Sequence, residues 1–451
     1  MSNDSVVVDH PERLGDLAEV FVRRRIGFGV DGGGQLVLVR PDSVIVDVGD
    51  SATSFRTALA ALAKYSEEQA AALRERGQPR GGLVAVAVAN EVTTVHGERR
   101  FSVAPVQTAL DQLRAAGARA EPNHVVLGSQ GVKGMPVGAE AHFAGGMIFT
   151  AEVIESPIGK VLKSTSDPAP KPAWLPRPLG IPERSAPKLL VLDTGLRTED
   201  GAGAAVEHPD LTCVRLHSPW LQKTQGAIDD EDEYDDDGSG TLDFEAGHGT
   251  FITGVIQQIC PDAEVHVAGV LSSFGDGDVA DVIAAFELAV TQAGPFDVVV
   301  LSLGGYMSDD DGELFGAGIR RLLGDGLCVA AAGNQSTSRP YFPAALADVV
   351  GVGGLGQADK AWFTNFGGWV DACAPAIDVV STFFMPTKGA KLDEPFTGWA
   401  RWSGTSFSAP KVAAAVAQEM YLSGSDARTS WKRLSDHRRY RFPDLGIVFN
   451  L

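Results

Sequence analysis

Ser403-Gly404-Thr405-Ser406-Phe407-Ser408-Ala409-Pro410, followed by an Ala/Val-rich run, reads as a serine presented on a turn that opens a helix. Backbone N–H groups at a helix start lack intrahelical partners and carry the positive end of the macrodipole. An oxyanion forming beside Ser406 would therefore meet donors already oriented toward it. Acyl transfer is chemistry that uses this arrangement. Serine is also a common N-cap, so the octapeptide taken alone reads as a capping serine.

A serine hydroxyl attacks well only beside a base, and the base needs a carboxylate to orient it. Leu189-Leu190-Val191-Leu192-Asp193-Thr194-Gly195 has the apolar run of a buried strand and puts Asp193 at its carboxyl end. Open parallel sheets build their sites at that edge. Gly247-His248-Gly249-Thr250 then leads into the apolar Phe251-Ile252-Thr253-Gly254-Val255-Ile256, a glycine-bounded helix entry that turns His248 toward the same edge. An isolated Asp-Thr-Gly would more simply be a turn.

The blocks occur in a telling order. Asp193-Thr194-Gly195 is followed by His208-Pro209-Asp210-Leu211, His248-Gly249-Thr250, Ser302-Leu303-Gly304-Gly305 and Ala331-Ala332-Gly333-Asn334. Phe363-Thr364-Asn365-Phe366-Gly367, Ala374-Pro375 and the Ser406 octapeptide complete the series. In these blocks the chain resembles the subtilisin-like serine proteases (subtilases, the S8 family), over roughly residues 187 to 423. The resemblance implies a serine endopeptidase that forms an acyl-enzyme on Ser406. His248 would be general base and then acid, and Asp193 the carboxylate on the far ring nitrogen. Asn334 and the Ser406 turn would form the oxyanion hole. Ser302, Leu303 and Gly304 would pair with the substrate backbone as an added strand, with Gly275, Asp276 and Gly277 on its other side. His208 reads as structural.

Asn334 also makes sense without the family, because the small-residue strand Leu327 to Ala332 ends in Gly333-Asn334 and leaves an amide at its carboxyl end. Where many relatives carry a second histidine and small residues after the histidine block, this chain has Phe251-Ile252-Thr253, a change that bears on helix packing. The same residues would serve a peptide ligase or macrocyclase if an amine outcompetes water at the acyl-enzyme. A pseudoprotease that only binds extended peptides is the third reading, and the intact Asp193, His248, Asn334 and Ser406 argue against it.

The chemistry requires no cofactor. Calcium enters only through the acidic run Asp229 to Asp237, which is followed by Gly238-Ser239-Gly240. A helix-loop-helix calcium site fails there: with Gly238 as sixth residue, Phe244 falls at the twelfth, where a Glu is needed. A solvated charged loop, an irregular calcium loop, and a loop that draws basic substrate residues together with Asp243 and Glu245 all stand open.

The chain has 451 residues, enough for two or more domains, and its 44% hydrophobic content is ample for a core. A formal charge of −20 argues against nucleic acid as a partner, and the resemblance implies protein or peptide substrates. Met1 to Ser5 open no signal-peptide pattern and no apolar run is long enough to span a bilayer, so the expected location is cytoplasmic, away from membranes. Cys213, Cys260, Cys328 and Cys373 lie in or beside apolar stretches and read as buried, reduced thiols.

The expected fold is α/β, a doubly wound, mostly parallel sheet with a smaller N-terminal α+β domain. The divisions are an N-terminal domain over 1–145, a Pro-rich linker over 146–187 and a peptidase domain over 188–451. Strands are expected near 188–193, 264–270, 297–303, 326–332 and 348–353, with helices near 248–259, 279–293, 313–324 and 406–422. The C-terminal Trp431 to Arg441 reads as a solvated surface element. In the N-terminal domain, strands are expected at Gln35–Val39, Ser43–Val48 and Leu83–Ala89, and helices at Thr53–Arg76 and Pro105–Ala116. The strand-like Arg119 to Val126 that follows resembles the close of subtilisin propeptides, which cover the protease. The expectation is that this domain restrains the active site in cis, as in a zymogen. A recognition or sensing domain is the alternative.

Overall fold

The computed structural model describes residues 8–9, 21–30, 36–95, 97–128, 167–168, 185–197, 208–216, 242–307, 312–357, 359–385, 397–437 and 440–450. β1 (Val8–Asp9), β2 (Gly27–Val30) and β3 (Leu36–Asp47) come first, then α1 (Ala52–Tyr65), α2 (Glu67–Arg76) and β4 (Leu83–Ala87). A hairpin, β5 (Val92–Val95) with β6 (Glu98–Phe101), precedes α3 (Ala104–Ala115) and β7 (Arg119–Gly128). Leu59 and Leu62 of α1 pack with Val106, Leu110 and Leu113 of α3 against Val44 and Val46 of β3. This unit therefore has its own core.

In this unit two expected elements differ. The helix expected from Thr53 to Arg76 breaks at Ser66, which adopts an extended backbone (φ −151°) and uses its hydroxyl to accept from Gln69 N at 3.3 Å. Capping by a serine outweighs continued helix at that point. The two strands expected either side of Pro41 are one strand, with its pairing to β7 shifted between Val39 and Val44. Proline has no N–H for the ladder, so an irregularity belongs there.

After β8 (Asp167–Pro168) come β9 (Lys188–Asp193), β10 (Val214–Leu216), α4 (His248–Ile259), β11 (Glu264–Gly269), β12 (Asp276–Asp278) and α5 (Val279–Ala293). They continue with β13 (Val298–Leu301), β14 (Leu303–Gly304), α6 (Gly312–Leu323), β15 (Leu327–Ala331), β16 (Val349–Leu355) and β17 (Ala372–Pro375). The chain closes through β18 (Val379–Thr382), β19 (Trp399–Trp402), α7 (Ser408–Ser423), α8 (Ala427–His437), β20 (Arg441–Phe442) and β21 (Gly446–Val448).

Among the described residues the large sheet runs β10-β11-β9-β13-β15-β16-β17-β21-β20, parallel up to β21 and antiparallel only at β20. Alternate residues of β9 serve opposite faces. Leu189 and Val191 join a core with Phe251, Ile252, Val412 and Val416, and Leu190 and Leu192 join another with Val282, Phe286, Phe315 and Ile319. Helices thus cover both faces, as the apolar runs with no alternation required.

Within Trp431 to Arg441, Lys432, Arg433, Asp436, Tyr440 and Arg441 are exposed as expected, and two side chains face inward. Trp431 and Leu434 of α8 pack on the first core, and the Trp431 ring stacks on Phe449 at 6.1 Å and 9°. The hairpin after α8 then extends the sheet, and the aromatic contact that anchors it is one that charge counting alone does not reveal. The helix expected from residue 406 starts at Ser408, because Thr405–Phe407 form a single 3₁₀ turn after an extended Gly404 (φ 164°).

The two units share charged contacts. Arg24 Nε lies 2.8 Å from Asp276 Oδ1, and Arg40 Nε lies 2.9 Å from Asp278 Oδ2. Asp47 binds Arg321 across the units (3.0 Å) and Arg119 within its own (2.9 Å), and Glu287 accepts from the backbone N–H of Arg80 and Gly81 (2.7 and 3.0 Å). Burial works to raise the Asp276 pKa, yet Arg24 and Arg40 outweigh it and hold the carboxyl below the usual range. Burial and then the Asp278 charge push Asp281, at the start of α5, up to about 7. A carboxyl raised in the folded state keeps a proton that the unfolded chain has already lost, so its contribution to stability falls as pH rises from about 4 through 7. Urea unfolding of the full chain should show wild type losing stability relative to Asp281→Asn over that window. Parallel pH profiles for the two proteins would contradict it.

Candidate active site

Asp193 ends β9 fully buried, with Oδ1 accepting from Thr194 N at 2.8 Å and lying 2.7 Å from His248 Nδ1. Two glycines allow α4 to deliver that imidazole. A Cβ on Gly247 (φ +81°) would fall 2.2 Å from the Phe383 ring, and one on Gly249 would fall 2.2 Å from Gly195 O. Gly249 N donates to Thr194 Oγ1 at 2.9 Å, tying the helix start to the strand end. The edge of Trp402 (5.5 Å, 82°) and the tilted ring of Phe407 (5.4 Å) wall the imidazole. On the other side Glu245 Oε2 lies 3.6 Å from His248 Nε2.

Ser406 is the middle residue of the 3₁₀ turn and is buried. Its hydroxyl donates to Ser302 O at 3.3 Å, and the Ser302 hydroxyl donates to Ser406 O at 2.8 Å. Asn334 follows β15. Its amide oxygen accepts from both Thr405 N (2.9 Å) and Thr405 Oγ1 (2.8 Å), so the amide cannot flip without losing both bonds. Asn365 pins the same loop, accepting from Gln335 N and Thr337 N and donating to Ala332 O at 2.8 Å.

The structure brings Asp193 to His248, and Asn334 and Ser302 to the Ser406 turn. It also lays the two expected substrate-flanking segments either side of a single strand, and that strand is the chain's own β7. Leu303 stands opposite Gly128 and Gly304 opposite Leu127, while Asp276, Gly277 and Asp278 stand opposite Leu127, Val126 and Val125, all antiparallel. Gly128 N donates to Gly275 O at 2.7 Å. The Asp276 side chain leaves the strand gap for Arg24, Arg40 and Ser272 Oγ. Sequence reasoning missed Thr405, Arg24 and Arg40. Thr405 was in view inside the octapeptide, but nothing local ties Arg24 to a carboxylate 252 residues away.

His208 is structural: its Nε2 donates to Gly398 O at 2.6 Å and its Nδ1 accepts from Asp210 N at 3.2 Å. Phe251 packs on Phe407 (4.5 Å) and Trp402 (5.8 Å), the packing role expected for that departure. The four cysteines are free and buried, and burial pushes the Cys260, Cys328 and Cys373 thiols up to about 12. Among the described residues no group of three or more His, Cys, Asp or Glu is disposed to hold a metal, and no helix is long and apolar enough to cross a membrane. The acidic run Asp229 to Asp237 lies outside the described residues.

The doubly wound sheet thus carries an imidazole backed by a buried carboxylate, and Asn334 and Ser302 hold a buried serine turn in place. The model of the subtilase family, peptidase S8, matches residues 184–434, and the chain belongs to that family. It is 31% identical over 184 residues to a thermophilic serine proteinase of Bacillus sp. (strain AK1), covering 38% of this chain and 41% of that protein. It is 28% identical over 244 residues to an alkaline protease of Alkalihalobacillus alcalophilus, covering 52% of this chain and 53% of that one. The chain thus spans about half the length, or less, of these two relatives. A solved cold-adapted subtilisin-like serine proteinase aligns at 22% identity with a TM-score of 0.43, over 58% of this chain and 85% of that one.

The aromatic wall should carry much of the local stability. Phe251→Ala should lower the unfolding free energy by about 3–5 kcal/mol, read from urea denaturation followed by tryptophan fluorescence. A loss within experimental error would show that Trp402 and Phe407 repack without it.

Proposed function

We propose that the chain is a serine endopeptidase restrained by its own N-terminal unit. One observation carries the reading: the cleft between β12 and β14 is filled by an extended strand, paired on both sides, whose last described residue lies next to the Ser302–Ser406 contact. A cleft that accepts one extended chain by backbone pairing is suited to protein and peptide substrates.

In a substrate complex the Ser406 oxygen attacks the scissile carbonyl carbon as its proton passes to His248 Nε2. Asp193, 2.7 Å from Nδ1, holds the imidazole's orientation and stabilises the charge it gains. The new C–O bond leaves negative charge on the carbonyl oxygen, received by the Asn334 amide N–H and the Ser406 backbone N–H. Thr405 supports this by holding the Asn334 oxygen on its other side. Collapse breaks the C–N bond, with His248 returning the proton to the leaving amine, and water repeats the sequence on the ester.

β7 occupies the acyl side of that cleft, so a substrate must displace it. The N-terminal unit holds it there through the Arg24–Asp276 and Arg40–Asp278 pairs, whose Asp276 is 7% exposed. Breaking such pairs leaves carboxylates buried without counter-charge, which costs about 3–5 kcal/mol each. Full-length Arg24→Ala/Arg40→Ala should hydrolyse a reporter peptide at least about 10-fold faster than wild type, following the loss of that energy from the docked state. Asn334→Ala in the same background should fall about 100- to 1000-fold, and Ser406→Ala should be inactive. Equal rates for wild type and the double arginine variant would remove the restraint, and activity surviving Ser406→Ala would remove the mechanism.

A further inference from the structure

The strand in the cleft shows which wall each position of an extended chain faces. Val126 joins the core that contains Leu271, and a Cβ built on Gly128 lies 3.4 Å from Leu271 Cδ1, so these two positions share one face. Val125 and Leu127 share the other, where they line a cavity of about 20 Å³ with Tyr306, Gln335 and Tyr341. Successive residues of a strand alternate between faces, so the residue after the Gly128 position faces the Tyr341 wall. Gly128 stands opposite Leu303, and the carbonyl of Ser302, the next residue along that edge, accepts the Ser406 hydroxyl. A peptide in this register offers Ser406 the carbonyl of the residue after the Gly128 position. The side chain beside the scissile bond is therefore the one turned toward Tyr341.

That wall is closed by an aromatic ring. β15 runs out through Ala331, Ala332 and Gly333, residues too small to fill the space beside the cleft edge themselves. Tyr341, buried at 2% exposure, occupies it: a Cβ on Gly304 would fall 2.4 Å from its Cε1, and one on Gly333 would fall 3.1 Å from its Cδ1. We propose that Tyr341 restricts the residue before the scissile bond to glycine, alanine or serine, a substrate class that rests on the endopeptidase reading and narrows it. The ring is held at three points. Its hydroxyl donates to Gly304 O at 2.7 Å, and burial keeps the phenol pKa well above its ordinary value, so the donated proton is retained across the neutral range. Tyr306 meets the ring edge-on at 5.1 Å and 72°, and is itself fixed by its hydroxyl donating to Gln335 Oε1 at 3.0 Å. Swinging Tyr341 aside would break a buried hydrogen bond and leave both partners unsatisfied. A long or aromatic substrate side chain would have to do this, because a close-packed site yields little to added methylenes. A methyl or hydroxymethyl group reaches the wall without moving it.

The test uses the full-length chain and peptides that differ only in Ala, Leu or Phe as the residue before the cleaved bond. The Ala peptide should exceed the Phe peptide by about 100-fold in kcat/KM, and the ratio should fall below about 5-fold in Tyr341→Ala. Tyr341→Phe keeps the ring and should keep the preference. Equal rates for the three peptides with the wild-type chain overturn the proposal, as does a ratio unchanged in Tyr341→Ala. A second arm needs no turnover: product peptides ending in Ala or Phe at that position are titrated into full-length Arg24→Ala/Arg40→Ala/Ser406→Ala, where the resident strand is held less firmly. Tighter binding of the Ala peptide, with the difference lost when Tyr341→Ala is added, supports the subsite; equal affinities, or binding of neither peptide, overturn it. If no peptide is cleaved while the order of affinities holds, the endopeptidase reading fails and the small-residue subsite stands.

Discussion

Between β12 and β14 lies a gap one strand wide, and both of its edges carry backbone donors and acceptors that need partners. Buried peptide groups left without them cost free energy comparable to a lost hydrogen bond each. Whatever fills the gap must be extended and antiparallel to both edges, as β7 is. The edges are themselves packed too tightly for side chains: a Cβ on Gly277 would fall 2.3 Å from Val270 O, and one on Gly304 would fall 2.4 Å from the Tyr341 ring. Tyr341 in turn donates its hydroxyl to Gly304 O at 2.7 Å, fixing that edge from behind.

β7 meets this demand because it belongs to two sets of strand contacts at once. Its first half pairs with β3 in the N-terminal unit, and its last residues pair with β12 and β14. A strand anchored at one end by a separate core arrives in the cleft already extended, so little conformational entropy is lost on docking there. The charged contacts set its position along the cleft. Arg24 and Arg40 come from the unit that carries β7, and Asp276 and Asp278 from the edge that receives it, so docking and charge neutralisation occur together.

Much of the peptidase fold was legible because its strands are unbroken apolar runs ending in Gly, Asp or Asn, and those ends are where the site is built. Lys188–Asp193 and His248–Ile259 fell where the runs placed them. Ser66 was harder to read, since a serine inside a helical pattern either faces solvent or caps a new helix, and its backbone decides. The roles of Arg24 and Arg40 were illegible for a different reason. Each looks like an ordinary surface cation until the fold brings it against a carboxylate more than 200 residues away.

The short pairing of β8 with β19 has its own consequence. Asp167 stands opposite Arg401 and Pro168 opposite Ala400, in the strand whose Trp402 walls the imidazole. The chain is thus gripped by backbone pairing at Gly128 and again at Asp167. Scission between these points would leave the unit that carries Gly128 still paired in the cleft, as a bound second molecule. Removing the covalent link lowers its effective concentration from about the millimolar range to whatever the solution holds. Cleavage and departure are then separate events, the first a change in chemistry, the second governed by dilution and by an off-rate.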